Sequence, residues 1–199
     1  TLTYSKAVYK DLEEPVDRPW YQLKNGHEIS QPVGYIAEGL FRDQAEIDAS
    51  PQASTGVMPG DIRYRDVNRD GVIDIEDAVR IGFFPETPRL VYGFSGFINY
   101  KNFEFNFAFQ GSGKRGFFIN PKALSPFVSN HAMLKDIYES HWTEKTTDNY
   151  PFWPRLSVTN IVDYNKQEDW YANETDVRKS TYFMRECRFL RCTSLELAY

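Results

Sequence analysis

Apolar and polar or small residues alternate strictly over residues 103–110 and more loosely over 90–100, and this period of two predicts a pair of antiparallel strands. In the second strand the apolar positions are Phe103, Phe105, Phe107 and Phe109, and the polar or small ones are Glu104, Asn106, Ala108 and Gln110. In the first strand one face carries Leu90, Tyr92, Phe94, Ile98 and Tyr100. Two residues, Lys101 and Asn102, separate the strands, which is the length of a tight hairpin turn. The pattern therefore predicts a hairpin at 90–111.

The phenylalanine face of this hairpin allows two interpretations. In a soluble sandwich it would point into a core. In a transmembrane barrel it would point to lipid, while Glu104, Asn106 and Gln110 would face a wet lumen. Periodicity alone does not separate these two cases.

Weaker alternation predicts a strand within 1–9 and another within 186–199. Between the strands lie two long connections, 10–89 and 112–185, in which we expect a short helical turn at Gln44–Asp48 and an amphipathic helix at Ala132–Trp142. Both connections leave at the end opposite the two-residue turn. Outer-membrane barrels have this asymmetry, with short periplasmic turns and long extracellular loops.

The segment Asp66–Asp77 matches the spacing of a calcium-binding loop, with oxygen-bearing side chains at positions 1, 3, 5, 9 and 12 and glycine at position 6. The predicted calcium ligands are Asp66, Asn68, Asp70, the carbonyl of Val72, Asp74 and Asp77. Ile73 is expected to anchor the loop by apolar packing. Asp77 replaces the usual glutamate and the entering segment Asp61–Arg65 reads as extended, so a helix-loop-helix sensor is not expected. The alternative is a solvated turn without metal.

Composition excludes several classes of protein. The chain of 199 residues is 41% hydrophobic and 26% charged, which does not fit a disordered chain, and it lacks the roughly 18 consecutive apolar residues of a spanning helix. Its net charge is −5 and its basic residues are scattered, so nucleic acid is not an expected partner. Cys187 and Cys192 lie five positions apart and are expected to be free thiols. The chain starts without methionine and ends on a strand-like pattern, so we expect a piece of a longer protein.

No catalytic motif is present, and the three histidines lack the spacing of metal ligands, so we do not expect an enzyme. A glycan-processing enzyme would need paired catalytic carboxylates in a recognisable setting. Aromatic residues in the second connection are candidates for stacking on sugar rings or for contacting a partner protein. These candidates are Trp142, Tyr150, Trp153, Trp170 and Tyr171. Local packing within a long loop is the alternative.

Several sequence runs, in order along nearly the whole chain, resemble the SusC/RagA family of TonB-linked outer-membrane proteins. They are Gly34–Phe41, Glu46–Asp48, Pro59–Asp74, Ile81–Gly82, Val91–Phe94, Phe109–Gly111, His141–Thr143, Pro154–Leu156 and Phe189–Arg191.

This resemblance implies a fold and partners that composition does not reveal. The fold would be a large plugged transmembrane barrel of about 22 strands, of which this chain would be a C-terminal part lacking the plug domain and the final strands. The family imports glycans or peptides through the bacterial outer membrane together with a SusD-type surface lipoprotein that covers the extracellular loops, with energy from TonB. We therefore expect an all-β fragment of an antiparallel barrel with two extracellular loops at 10–89 and 112–185. The soluble alternative is a calcium-stabilised β-sandwich that binds carbohydrate or protein.

Overall fold

The secondary structure is mostly strand. The computed structural model describes residues 1–29, 31–51, 56–83, 87–119, 124, 126–127, 132–146, 148, 150–156 and 180–199. The strands in this part of the chain are β1 (Leu2–Tyr4), β2 (Val33–Gly34), β3 (Ala37–Leu40), β4 (Ile62–Tyr64), β5 (Val79–Arg80), β6 (Leu90–Tyr100), β7 (Phe103–Gly113), β8 (Gly116–Phe118), β9 (Met184–Glu186) and β10 (Phe189–Ala198). The α-helices are α1 (Gln44–Asp48) and α2 (Lys135–Glu139), and 3-10 helices lie at Trp20–Gln22 and Ile75–Asp77. None of the described helices is long and apolar enough to cross a membrane.

The largest sheet is antiparallel and has the strand order β1-β6-β7-β10. The hairpin β6–β7 turns at Lys101, which adopts a positive φ of 55°, and it continues two residues past the predicted end to Gly113. The register places the phenylalanines of β7 opposite apolar residues or glycine on β6. Phe94 is opposite Phe109 with ring centroids 5.0 Å apart, and Gly96 is opposite Phe107. A Cβ atom at Gly96 would lie 2.6 Å from the Phe107 ring, so the absence of a side chain at position 96 leaves room for that ring.

Three small sheets, β2–β5, β3–β4 and β8–β9, lie in the two long connections. They join with the helices into a folded body that we call the loop unit, made of the described residues within 31–83 and 116–186. Its core draws on both connections. The buried members are Tyr35, Ala37, Leu40, Ile62, Tyr64, Ile73, Ala78, Ile137, Trp153, Tyr182 and Phe183, with a smaller cluster of Phe41, Ile47 and Val57. No residue of β6, β7 or β10 belongs to either cluster, so the main sheet carries no core within the described residues.

Two predicted strands are shorter than the ranges in which the sequence placed them. The strand expected within 1–9 is only three residues long, with isolated bridges at Val8 and Tyr9 beyond it. The strand expected within 186–199 begins at Phe189, because Glu186 belongs to β9 and pairs with Gly116 of β8.

The helix predicted at 132–142 is confined to α2, while α1 has the predicted bounds. The cap residue Leu134 is extended, and Ser140 ends the helix. Beyond Ser140, the amide of Trp142 donates to the carbonyl of Trp153 at 2.9 Å, and His141 forms a bridge with Trp153. This long-range pairing competes with continuation of the helix and overrides the amphipathic pattern.

Candidate functional site

The segment with calcium-loop spacing connects β4 to β5 within the loop unit. The entering segment is extended, as the sequence indicated, and the 3-10 helix Ile75–Asp77 closes the loop. Ile73 is 2% exposed and is part of the main core, so it anchors the loop as predicted. The sharp turn uses two residues with positive φ, Arg69 at 65° and Gly71 at 88°.

Side-chain oxygens in this loop accept hydrogen bonds from its own backbone amides. Asp66 accepts from the amides of Arg69 at 2.5 Å and Gly71 at 2.9 Å. Asp70 accepts from the amide of Val72 at 2.8 Å, and the Asn68 side chain accepts from the amide of Asp70 at 3.0 Å. These bonds hold the loop in a tight, repeatedly turned conformation.

Asp77 is the most enclosed of the six predicted ligands, since it is 0% exposed. Its carboxylate accepts from the amides of Val67 at 2.6 Å and Asp74 at 2.9 Å. Burial raises the pKa of Asp77, and the amide donors from Asp74, Val67 and Asn68 oppose that effect. Asp77 and Asp74 also form a reciprocal cap at the start of the 3-10 helix.

The six predicted ligands lie within the one loop at 66–77. Among the described residues, no three or more His, Cys, Asp or Glu side chains form a group that could hold a metal ion in this conformation. The loop oxygens are engaged with amide donors instead. A bound cation would therefore require the side chains of Asn68, which is half-buried, and Asp70, which is exposed, to turn towards it.

A second segment supports the loop, and the sequence did not indicate this contact. Tyr21 Oη donates to the Glu76 carbonyl at 2.8 Å. The Gln22 side-chain amide donates to the carbonyls of Ile75 at 2.9 Å and Ala78 at 3.0 Å. Burial, together with the nearby charge of Asp77, raises the pKa of Tyr21.

The candidate aromatic residues have different environments. Trp153 is 6% exposed, and its ring lies 5.8 Å from that of Phe183 in the core, so local packing describes it better than ligand stacking. Trp142 is half-buried against the same core. Tyr150 is 53% exposed and donates to the Ala37 carbonyl at 3.1 Å. Trp170 and Tyr171 lie outside the described residues.

A buried ion pair that sequence reasoning missed joins the two connections. Asp61 is 0% exposed, and Arg155 Nε donates to its Oδ1 at 2.6 Å. The amide of Arg155 also donates to the Gly60 carbonyl at 3.1 Å. Both residues lie in runs that carry the family resemblance, Pro59–Asp74 and Pro154–Leu156, but nothing in the sequence pairs them.

The apolar face of the main sheet is largely exposed. Phe94 is 51% exposed, Ile98 57%, Leu195 63% and Leu197 73%. The register places these side chains on the same face as Phe105, Phe107 and Phe109. The opposite face is mainly polar and carries Ser95, Asn99, Glu104, Asn106, Gln110, Arg191 and Glu196, together with Val91, Phe97 and Phe189. Within the described residues nothing covers the apolar face.

The chain was compared with protein-family models and with known proteins. No protein-family model matches the chain. Over 87 residues, or 44% of its length, the chain is 42% identical to "TonB-dependent receptor P26" of Formosa agariphila. This similarity supports the TonB-dependent receptor family. The matched segment covers 8% of the length of that receptor.

Proposed function

We propose that this chain is part of the β-barrel of a TonB-dependent outer-membrane importer that works with a SusD-type surface lipoprotein. The observation that carries the proposal is the main sheet, whose exposed apolar face lies opposite a polar face. The similarity to a TonB-dependent receptor supports the same function. Such a sheet fits a barrel wall with lipid on one side and a hydrated lumen on the other.

The dimensions of the apolar face also fit a membrane. Tyr92 and Tyr100 mark its two ends on β6 and are eight positions apart. At about 3.4 Å per residue they are separated by roughly 27 Å along the strand. A strand tilt of about 35–45° reduces this to roughly 19–22 Å of height, close to the apolar band of about 25 Å in outer-membrane barrels. The two tyrosines would then lie at the membrane interfaces, where aromatic residues are enriched.

The soluble sandwich alternative requires a second sheet over the phenylalanine face. In the part of the chain that the structure describes, the small sheets and helices belong to the loop unit instead. The barrel interpretation needs no second sheet.

In this proposal the loop unit is extracellular, because long loops of bacterial barrels are on that side. It would contact the surface lipoprotein and help to enclose an oligomeric nutrient, a glycan or a peptide. Uptake would be driven by the TonB complex through a plug domain outside this chain. Tyr150, which is exposed and fixed by its hydrogen bond to Ala37, is the described aromatic best placed to contact a ligand or partner.

We also propose that the Asp66–Asp77 loop binds one structural calcium ion through the six predicted ligands. Its spacing and its position between β4 and β5 support this role. Calcium would supply charge neutralisation and cross-linking within the loop. Because Ile73 and the Tyr21–Gln22 contacts tie the loop to its surroundings, the ion would stiffen the loop unit rather than take part in chemistry.

Cysteine labelling of intact cells tests the orientation of the barrel. In the full-length protein, with Cys187 and Cys192 replaced by serine, Tyr138→Cys places a thiol on the exposed side of α2 and Lys101→Cys places one at the hairpin turn. A membrane-impermeant maleimide should label the thiol at 138 in intact cells. It should label the thiol at 101 only after the outer membrane is opened. Labelling of both in intact cells, or recovery of the protein in a soluble fraction, would overturn the proposal.

The partner is tested by placing a photo-crosslinking amino acid at position 138 or 150 of the full-length protein in cells. We expect adducts with a lipid-anchored surface protein from these positions and none from position 101. Failure to obtain any adduct from the loop unit would argue against the lipoprotein while leaving the barrel assignment intact.

A further inference from the structure

The backbone segments that adjoin β1, β6, β7 and β10 at the end opposite the hairpin turn are also joined by hydrogen bonds. We call this row, made of residues 5–6, 89, 114–115 and 187–188, the rim. The amide of Ser5 donates to the Arg89 carbonyl at 2.9 Å, and the amide of Arg89 donates to the Lys114 carbonyl at 3.3 Å. The amide of Cys187 donates to the Arg115 carbonyl at 2.8 Å. The rim therefore lies between the membrane-sized sheet and the loop unit.

Three exposed cations on this rim lie on or next to the apolar face: Lys6, Lys114 and Arg188. The Nζ atom of Lys114 lies 5.3 Å from the ring centroid of Tyr4. Tyr4 is opposite Leu90, so its ring is on the apolar face. Lys6 follows Tyr4 by two positions, and Ser5 between them bonds to Arg89, the residue directly before β6. Alternation then returns Lys6 to the face of Tyr4.

Arg188 directly precedes Phe189, which is opposite Ser112 on the polar face. Alternation therefore places Arg188 on the apolar side, next to Lys114 along the rim.

The rim cations are not neutralised by nearby carboxylates. Lys6, Lys114 and Arg188 take part in no ion pair within the described residues. Arg89, by contrast, faces the other way and pairs with the buried Glu28. Glu186 lies on the same side of β9 as Met184, because alternate residues of a strand share a face. The Met184 sulfur packs against Gly82, so this side of β9 faces the loop unit and not the rim cations.

The two ends of the apolar face differ in charge. At the hairpin turn one cation, Lys101, lies over Tyr100 with Nζ 5.4 Å from the ring centroid. At the rim three cations lie across the width of the sheet. A lysine over an aromatic ring at the edge of an apolar band is placed at headgroup depth, where its charge reaches phosphate.

We infer that Lys6, Lys114 and Arg188 form a binding site for the phosphate groups of an anionic lipid in the outer leaflet. This inference rests on the proposed barrel, because only a membrane brings lipid phosphates to the height of the rim. The acyl chains lie along Phe94 and Ile98 below Tyr92, and the phosphates lie among the three cations. Each Lys or Arg near an anionic surface contributes about 1 kcal/mol to attraction, so three together favour phosphorylated lipid over neutral lipid.

Native mass spectrometry of the full-length protein, purified in a neutral detergent, tests this site. The probe is lipid A with two phosphates, compared with its dephosphorylated form and with inorganic phosphate as competitor. We expect K6Q/K114Q/R188Q to bind lipid A roughly tenfold more weakly than the natural protein or more. The triple variant K24Q/K135Q/K145Q, which removes the same charge from exposed sites of the connections, should bind as the natural protein does.

The charge-preserving variant K6R/K114R/R188K should retain binding, and inorganic phosphate at millimolar concentration should not displace the lipid. If the rim triple variant assembles poorly, K114Q alone should still weaken binding while K101Q does not. Equal lipid A binding by the rim and control variants would overturn the inference, as would equal binding of dephosphorylated lipid. Either result in a protein that fractionates with the outer membrane would leave the proposed barrel in place. Recovery in the soluble fraction would instead remove the barrel itself.

Discussion

Arg155 Nε lies 2.6 Å from Asp61 Oδ1, and this ion pair connects residues 94 positions apart in the chain. The carboxylate is fully buried and also accepts from the amide of Met58 at 2.9 Å. Because Asp61 lies in the first connection and Arg155 in the second, the pair fixes one connection on the other. The loop unit therefore depends on a charge that is satisfied only when both connections are in place.

Removal of Arg155 should destabilise the loop unit strongly. Arg155→Met would leave the Asp61 carboxylate buried without its cation, at a cost of about 3–5 kcal/mol. The double variant Asp61→Asn with Arg155→Met removes both charges and should recover part of that loss. Urea unfolding followed by tryptophan fluorescence measures the effect, since Trp153 lies in the same core.

Lys135→Ala is the matched control for this prediction. Its pair with Glu139 is exposed, at a distance of 3.6 Å, and should contribute well under about 1 kcal/mol. Similar losses for Lys135→Ala and Arg155→Met would show that burial of the Asp61 pair is not what stabilises the unit.

Charge should be tolerated on one face of β7 and not on the other. In the proposed barrel, Phe107→Arg puts a cation on the lipid side near the middle of the strand and should cost about 2–4 kcal/mol. Asn106→Arg, one residue away, would face the lumen of the proposed barrel and should assemble normally. Heat-modifiable mobility on gels, together with the amount of protein in the outer membrane, measures assembly. Equal assembly of the two variants would contradict the assignment of faces.

Calcium binding should be detectable with terbium in its place. Tyr21 donates to Glu76 within the loop, so its ring is close enough to sensitise the emission of a bound lanthanide. Excess calcium should remove this emission. Asp70→Ala should abolish it and increase protease cleavage of the loop unit, while the strands stay intact.

Tyr21→Phe separates binding from detection. It keeps the ligand set, so emission should fall while calcium still protects the loop unit from protease. Calcium-independent protease sensitivity in the natural protein would rule out a structural ion here.

The loop unit should lose stability at alkaline pH. Burial raises the pKa of Tyr64 and of Tyr182 well above the usual value of about 10. The folded state then holds protons that the unfolded state releases, so stability is complete below pH about 10 and falls as the pH rises towards the folded values. The slope should be up to about 1.4 kcal/mol per pH unit for each tyrosine. Chemical unfolding at pH 9, 10 and 11 measures it.

A variant of one buried tyrosine isolates this contribution. Tyr182→Phe removes a hydroxyl that donates to the Pro151 carbonyl at 2.6 Å, so it should lower stability at neutral pH and also flatten the alkaline slope. Tyr138→Phe changes a 64% exposed residue and should leave the slope unchanged. A slope unaffected by Tyr182→Phe would assign the alkaline loss to other groups.

The sequence predicts long regular elements better than short ones. The β6–β7 hairpin follows from eleven-residue strands with a period of two, and α1 is a five-residue helix capped by Asp43 with Ile47 buried. The pairs β2–β5 and β3–β4 involve strands of two to four residues, which are too short to show a period. These short strands form because residues far away in sequence supply their hydrogen-bond partners.

The candidate site shows the same division. The spacing of Asp66, Asp70 and Asp77 is local, and it identified a compact turned loop anchored by Ile73. The support from Tyr21 and Gln22 comes from more than 50 positions away and has no local pattern. Composition also could not separate Trp153, which is buried, from Tyr150, which is exposed, because both occur in the same aromatic run.

The joint core of the two connections has a consequence for the order of assembly. The amide of Thr181 donates to the carbonyl of Tyr35 at 3.0 Å, so the two halves of that core are far apart in sequence. The hairpin closes through neighbouring residues and can form early, whereas contacts of such separation carry a large loop-closure cost and form late. A chain that stops after β7 would leave residues 31–81 without the part of their core that the second connection supplies. The loop unit is therefore completed only after the second connection, as far as Phe183, has joined the first.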